Sequence, residues 1–321
     1  MTFATTAARL RAALPAVLAL CAAQAASAAA PSEAALQSWR ATIAQTPVPQ
    51  EGCFKASYPG TAWTPVQCAT APARPYVPKR GASGRLVGNG NDYSAVVTGL
   101  LSSVVGSFPS ITGLKTEKGY GGKADTYSLQ LNSEFFSSAA CSGATDPSKC
   151  LGWQQFVYSN TGTAFMQYWL INYGNTCPSG GWMAYSGDCY RNSAAVNVPV
   201  QKLTALAGLS VSGTAVAGGT DTMVLTTSTD AYSTTGKDSV VDLASSWNAA
   251  EYNVVGDGGG SEAKFNKVTT ITVNIAVKDG TTKAPACKGK DGTTGETNNL
   301  TLGKCTTSGG TTPGVQFTEA N

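Results

Sequence analysis

Two polar side chains stand in apolar company. Gln167 lies within Thr163-Ala164-Phe165-Met166-Gln167-Tyr168-Trp169-Leu170-Ile171-Asn172-Tyr173, and Glu251 within Asn248-Ala249-Ala250-Glu251-Tyr252-Asn253-Val254-Val255. Both runs are short, rich in aromatic or β-branched residues and bounded by Gly, Asn or Ser, so each reads as a β-strand. A polar group buried there without a partner costs roughly 1 to 3 kcal/mol, which favours a place on a wet cleft. A carboxylate within reach of a water can take its proton as the water attacks a carbonyl, then return it to the leaving group. An amide beside it can steady the oxyanion through its NH₂ and orient the water through its oxygen. The chain contains no histidine. That excludes Ser-His and Cys-His nucleophiles and His-based zinc sites, leaving acid–base work to carboxylates.

The elements that must position these groups are strands. Alternation puts Phe165, Gln167, Trp169 and Ile171 on one face and Met166, Tyr168, Leu170 and Asn172 on the other. Gly152 to Tyr158 alternates likewise and is joined to the Gln167 run by a turn at Ser159-Asn160-Thr161-Gly162, which predicts a hairpin. Further strands are expected at Thr126 to Asn132, Val196 to Val200, Ser210 to Val216 and Thr222 to Thr227, with a long loop leading to the Glu251 strand. The clearest is Lys267 to Val277, with Ile271, Val273, Ile275 and Val277 on one face. Short strands near Asn299 to Leu302 and Val315 to Thr318 follow. Frequent turn signals and the lack of any long amphipathic helix point to an all-β fold, an antiparallel β-sandwich.

Ahead of this domain, taken as residues 89–321, come two other segments. Arg9 and Arg11, an apolar run from Ala13 to Ala23, and Ala26-Ser27-Ala28 form a secretory signal peptide over 1–28. Residues 29–88 carry closely spaced prolines from Pro47 to Pro78 and read as an irregular arm, with a short helix around Glu33 to Ile43. The arm either packs along the domain or is removed as a pro-segment; Lys79-Arg80, with Arg85 beyond, is the candidate processing site. No later run is long and apolar enough for a bilayer-spanning helix. The expected product is exported, extracellular or periplasmic.

Once Cys21 leaves with the signal peptide, eight cysteines remain, an even number that reads as disulfides in an oxidising compartment. They fall as neighbours: Cys53 and Cys68, Cys141 and Cys150, Cys177 and Cys189, Cys287 and Cys305. Local pairing, each bridge stapling one loop, is the simplest of the many connectivities. Removing residues 1–28 leaves 20 basic and 19 acidic side chains, a balance that gives no reason to expect nucleic acid or an anionic membrane. A monomer is expected.

Trp153, Gln167, Trp182 and Glu251 lie 14, 15 and 69 residues apart. In that order and spacing, with Ala164-Phe165-Met166-Gln167 and Asn248-Ala249-Ala250-Glu251-Tyr252 as local matches, residues 125–277 resemble the glutamic peptidases of the eqolisin type, secreted acid endopeptidases. Here Tyr252 stands where that family has Trp, and one more Ala separates Asn248 from the Ala-Glu pair. The resemblance implies a concanavalin-like sandwich, a catalytic pair Glu251 and Gln167, and a cleft lined by Trp153, Trp182 and Trp169. It also implies a polypeptide substrate and hydrolysis that needs no cofactor or metal.

Other readings compete. Glu134 lies in another strand-like run and could pair with Glu251 as a two-carboxylate glycosidase, whose acids sit about 5 to 10 Å apart. A sandwich presenting Trp153, Trp169, Trp182 and Trp247 could instead be a carbohydrate-binding module. Asp92, Asp125 and Glu117 sit in polar turns and read as surface groups. Asp257 to Glu262 offers too few oxygen ligands for a calcium loop, and its glycines precede no helix pattern, so no nucleotide loop is expected either.

Overall fold

A computed structural model describes residues 1–4, 31–79 and 92–321. The expected signal peptide and its cleavage site, and Arg80 and Arg85 of the processing site, lie outside the described residues apart from the first four. The chain divides into two units, Met1–Ser32 and Glu33–Asn321. Both principal sheets belong to the second.

The described residues form a nine-stranded and a ten-stranded sheet, with a small three-stranded one beside them. All pairings in the two large sheets are antiparallel. The main path of the ten-stranded sheet runs Met183–Tyr185, Asp188–Asn192, Thr163–Ile171, Leu151–Ser159, Tyr127–Ser133, Ala249–Gly256, Tyr93–Val96, Ala286–Gly289. The nine-stranded back sheet runs Thr64–Val66, Cys53–Ser57, Asp230–Lys237, Thr220–Thr226, Ser210–Thr214, Ser103–Thr112, Thr270–Lys278, Gly314–Ala320, Thr301–Ser308. An all-β sandwich is thus what the alternating sequence encodes.

The core is built from one face of each sheet. Ala164, Met166, Tyr168 and Leu170 enter it from the Gln167 strand, and Ala250, Tyr252 and Val254 from the Glu251 strand. Ile271, Val273, Ile275 and Val277 meet them from the back sheet. The approach is close enough to demand glycine at Gly106, where a Cβ would lie 2.1 Å from the ring of Tyr252. That ring also packs on Phe108, centroids 5.0 Å apart. Burying an aromatic of this size contributes about 2 to 3 kcal/mol, and here it pins the residue next to Glu251.

The hairpin forms as expected, Leu151–Ser159 with Thr163–Ile171, its turn closed by Gly162 N donating to Ser159 O at 3.0 Å. The helix is Glu33–Ile43, burying Leu36, Trp39 and Ile43. The long loop expected before Glu251 instead contains strand Asp230–Lys237. Its Ala-Tyr-Ser-Thr-Thr-Gly stretch lacks a clean alternation because Ala231, Tyr232, Ser233, Thr234 and Thr235 are all buried. The core lies on one side, and the helix with Ala56 of the strand Cys53–Ser57 packs by Ala231 on the other. Among the described residues four disulfides join Cys53 to Cys68, Cys141 to Cys150, Cys177 to Cys189 and Cys287 to Cys305. No helix among them is long and apolar enough to cross a membrane.

Candidate active site

Because directly opposed residues of antiparallel strands project to the same side, strand register places the polar side chains in a line. Ser94 opposes Glu251, Glu251 opposes Asn132, Asn132 opposes Gln155, Gln155 opposes Gln167, and Gln167 opposes Asn192. Six polar residues thus cross six strands on the face turned away from the core. Parallel rows flank them, Trp153, Trp169 and Tyr190 on one side and Asn253, Gln130, Val157 and Phe165 on the other.

Hydrogen bonds run along the row. Asn132 Nδ2 donates to Glu251 Oε1 at 2.7 Å, and Gln155 Nε2 to Gln130 Oε1 at 3.1 Å. The Trp169 indole donates to both Gln155 Oε1 at 3.1 Å and Gln167 Oε1 at 3.0 Å. Gln167 Nε2 donates to Asn192 Oδ1 at 2.8 Å. One atom in the middle is left over: Asn132 Oδ1 is buried without a hydrogen-bond partner. Such an orphaned acceptor costs free energy unless something polar comes to it.

Glu251 is covered by the loop after Ala286–Gly289. Its Oε2 accepts from Thr293 N at 2.6 Å, and its Oε1 from Thr294 N at 3.1 Å and the Thr293 hydroxyl at 2.7 Å. Gly292 allows this approach, since a Cβ there would fall 2.6 Å from Glu251 Oε2. Burial first, then the charge of Asp92, raises Glu251 well above the usual carboxylate range; bonds from Thr293 and Asn132 oppose this, and Glu134 adds to it. Glu134, bonded by the Ser94 hydroxyl at 2.8 Å, is itself raised to about 7, mainly by burial and then by Asp291. The site therefore holds carboxyl groups that stay protonated to higher pH than an ordinary carboxyl does.

Gln167 is covered by the arm. Its Oε1 accepts from Tyr76 N at 2.7 Å, and its Nε2 also donates to Arg74 O at 3.1 Å. Gln167 and Glu251 share a face and a row, but not neighbouring strands as one shared water would suggest. Two strands lie between them, a separation of about 14 Å at roughly 4.8 Å per step. One water can meet both only when the two side chains swing inward over Asn132 and Gln155.

The tryptophans fall into two groups. Trp153 and Trp169 are fully buried beside the row, and the Trp153 indole donates to Ser133 O at 2.9 Å and to Thr293 Oγ1 at 3.0 Å, tying it to the loop over Glu251. Trp182 is half-buried against the core, and Trp247 is a core residue packed on Phe156. The exposed tryptophan platform of a carbohydrate-binding module is absent at Trp153, Trp169 and Trp247. Asp92 and Glu117, read as surface groups, are buried, whereas Asp125 is exposed. Asp92 is drawn in by the amide of Asn253 and Glu117 by the backbone N–H of Thr126, 2.8 Å away.

Asn132, Gln155, Thr293 and Glu296 were not singled out from sequence. Their signal was present for Asn132 and Gln155: Gln155 sits mid-strand in an alternating run, as Gln167 does, and Asn132 closes another such run. Thr293 and Glu296 lie in a Gly- and Thr-rich stretch with no periodicity. Among the described residues no cluster of His, Cys, Asp and Glu is arranged to hold a metal ion.

No family model and no curated protein matches the chain. Among solved structures it is similar to a Scytalido-glutamic peptidase with a peptide-based transition-state analogue, at 11% identity and a TM-score of 0.28, over 70% of this chain and 96% of that one. It is also similar to SCP-B, a member of the Eqolisin family of peptidases in complex with the tripeptide Ala-Ile-His, at 12% identity and a TM-score of 0.30, over 72% and 98%. These are distant likenesses, short of family membership.

Proposed function

We propose that this chain is a secreted acid endopeptidase in which Glu251 and Gln167 activate water for peptide-bond hydrolysis. The observation that carries the reading is the row itself: a carboxyl and an amide at the spacing of Gln167 and Glu251, on one face, with Asn132 and Gln155 standing between them in register and an unpartnered acceptor at Asn132. Ionised Glu251 takes the proton of a water attacking the scissile carbonyl, Gln167 Nε2 stabilises the oxyanion, and the protonated Glu251 then delivers that proton to the leaving amine. No step calls on imidazole, which the chain lacks.

The arrangement described is a resting one. Gln167 is occupied by Arg74 and Tyr76, and Glu251 by Thr293 and Thr294. Burial is the first cause of the raised Glu251 proton affinity, so water reaching the carboxyl as the loop and arm move lowers that affinity and frees the base. Export, absence of nucleic-acid and membrane partners, and a monomeric state belong to the same proposal; four disulfides fit an oxidising compartment.

The test is Glu251→Gln, which keeps the shape and removes the base. The expected result is loss of denatured-protein cleavage at acid pH with an unchanged circular dichroism spectrum; equal cleavage by parent and variant would exclude the mechanism. One observation favours a second reading, a two-carboxylate glycosidase: Glu134, half-buried, lies close enough to raise Glu251 and is itself raised to about 7. Release of reducing sugar from a polysaccharide, lost in Glu134→Gln, would support it.

A further inference from the structure

The arm crosses the proposed site in extended form, and it does so with its backbone. Pro72 O accepts from Asn192 Nδ2 at 2.9 Å, Ala73 O from the Tyr190 hydroxyl at 3.2 Å, and Arg74 O from Gln167 Nε2 at 3.1 Å. Pro75 O then accepts from Gly259 N at 2.8 Å, and Tyr76 N donates to Gln167 Oε1 at 2.7 Å. Val77 donates through N to Glu296 Oε1 at 3.1 Å and accepts through O from Gly295 N at 2.7 Å, and Lys79 N donates to Thr293 O at 3.0 Å. These bonds use groups that any extended peptide carries, and they run from Gln167 to the loop over Glu251. Backbone capture of an extended strand is a recurring way to bind polypeptide without regard to most side chains.

We infer that Pro72–Lys79 is a built-in occupant of the substrate groove, and that the pocket holding Tyr76 is the groove's specificity subsite for an aromatic, hydroxyl-bearing side chain of the substrate. The inference rests on the peptidase reading for the word substrate, and on the structure for the groove. Tyr76 is fully buried, clustered with Ala71, Val157, Phe165 and Ala195. Its ring meets Phe165 edge-on, centroids 5.7 Å apart. At the end of the pocket its hydroxyl donates to Asp257 Oδ1 at 2.6 Å. A pocket apolar along its walls with one carboxyl at its end discriminates tyrosine from aliphatic residues by shape and from phenylalanine by the hydroxyl.

Three further features mark the strap as a ligand as well as a piece of the fold. It is basic against an acidic bed: Arg74 pairs with Asp257 Oδ2 at 3.0 Å, and Lys79, whose proton affinity burial lowers, is pulled the other way by Asp92 and Glu251. The carbonyl presented to Gln167 belongs to the Arg74–Pro75 bond, whose nitrogen carries no hydrogen. Among the described residues no disulfide joins the arm to the body either, since Cys53 and Cys68 pair with each other. The strap is held by its chain connections and by contacts that a competing peptide can replace.

The test is binding, read apart from turnover. A fluorescent peptide of the sequence Ala-Arg-Pro-Tyr-Val-Pro-Lys is titrated into the full chain, into Tyr76→Ala and into Tyr76→Phe. Parent should bind it at least tenfold more weakly than Tyr76→Ala, because its own strap fills the groove, with Tyr76→Phe between the two. Replacing the peptide's tyrosine by alanine should weaken binding at least tenfold, and by phenylalanine several-fold. Tyr76→Phe keeps the ring and the pocket filled, so it decides the matter if Tyr76→Ala does not fold. Equal binding by all three chains, or binding indifferent to the peptide's tyrosine, overturns the inference. In parallel, Tyr76→Ala should cleave denatured protein several-fold faster than parent, with cuts clustered near aromatic residues. If no chain cleaves while tyrosine-dependent binding holds, the peptidase reading falls and the groove stands.

Discussion

Asp221 offers a sharp measurement because it is remote in function and simple in surroundings. It lies on a back-sheet strand, is fully buried, and accepts from Gln154 Nε2 at 2.9 Å. Burial, with a smaller push from Asp238 against the pull of Gln154, raises its carboxyl from 3.8 to about 7. The folded chain therefore holds this proton where the unfolded chain has released it. A carboxyl raised in this way contributes its full stability below about pH 4, and loses it as the pH rises to about 7. At about 1.4 kcal/mol per pKa unit the loss approaches about 4 kcal/mol, a large part of the 5 to 15 kcal/mol typical of a domain.

Asp221→Asn removes the titration. It also gives Gln154 Oε1, buried and without a hydrogen-bond partner, an amide donor to accept from once its own amide turns over. Urea unfolding of parent and variant at pH 4, 6 and 8 should show nearly equal stability at pH 4 and a gap widening to about 2 to 4 kcal/mol in favour of the variant at pH 8. A gap that does not change with pH, or a variant that loses ground as pH rises, would refute the reasoning.

Gln167→Ala should lower kcat by about 10²- to 10³-fold, the usual effect of removing one oxyanion donor, and should cost about 1 to 3 kcal/mol of stability as its buried partners Tyr76, Asn192 and Trp169 lose a bond; a fall in KM-linked binding alone would mean that Gln167 only positions peptide. Gly292→Val should drive a side chain against the Glu251 carboxyl and abolish cleavage, with crystallographic displacement of the 291–294 loop as its signature. Peptide mapping without reduction should return Cys53 with Cys68, Cys141 with Cys150, Cys177 with Cys189 and Cys287 with Cys305, and any link between distant cysteines would count against the fold described. Glu319 is raised to about 8, by burial and then by Asp92, so Glu319→Gln should flatten the loss of stability between about pH 5 and pH 8 in the same direction as Asp221→Asn.

The parts legible in the sequence were those with a period. Ile271 to Val277 declared their core face by alternation, and the hairpin carrying Trp153 and Gln167 was announced by its turn. What escaped was long-range register. That Asn132 and Gln155 stand between Glu251 and Gln167 follows from which strand pairs with which across more than a hundred residues, and no local pattern encodes it. The same holds for Asp92, whose polar flanks suggest solvent while the distant Asn253 provides its partner; Glu117, flanked likewise, is held by the nearby Thr126 backbone. The arm's prolines spoke against regular structure correctly for 71–79, yet the pairing of Cys53–Ser57 with Asp230–Lys237 depends on a strand that its own residues concealed.

That pairing bears on what this chain can afford to lose. The strand Cys53–Ser57 lies against Asp230–Lys237, while Trp39 and Ile43 of the helix shield Val224 and Ala231. Without residues 33–79, Asp230–Lys237 would become the border of the back sheet, a row of bare peptide groups with charges only at its two ends, beside an uncovered apolar patch. Such borders recruit other strands and drive self-association. Lifting Pro72–Lys79 alone opens the groove and keeps the border sealed; shedding the whole arm opens both, and commits the remaining body to finding a new neighbour, a second copy of itself among them.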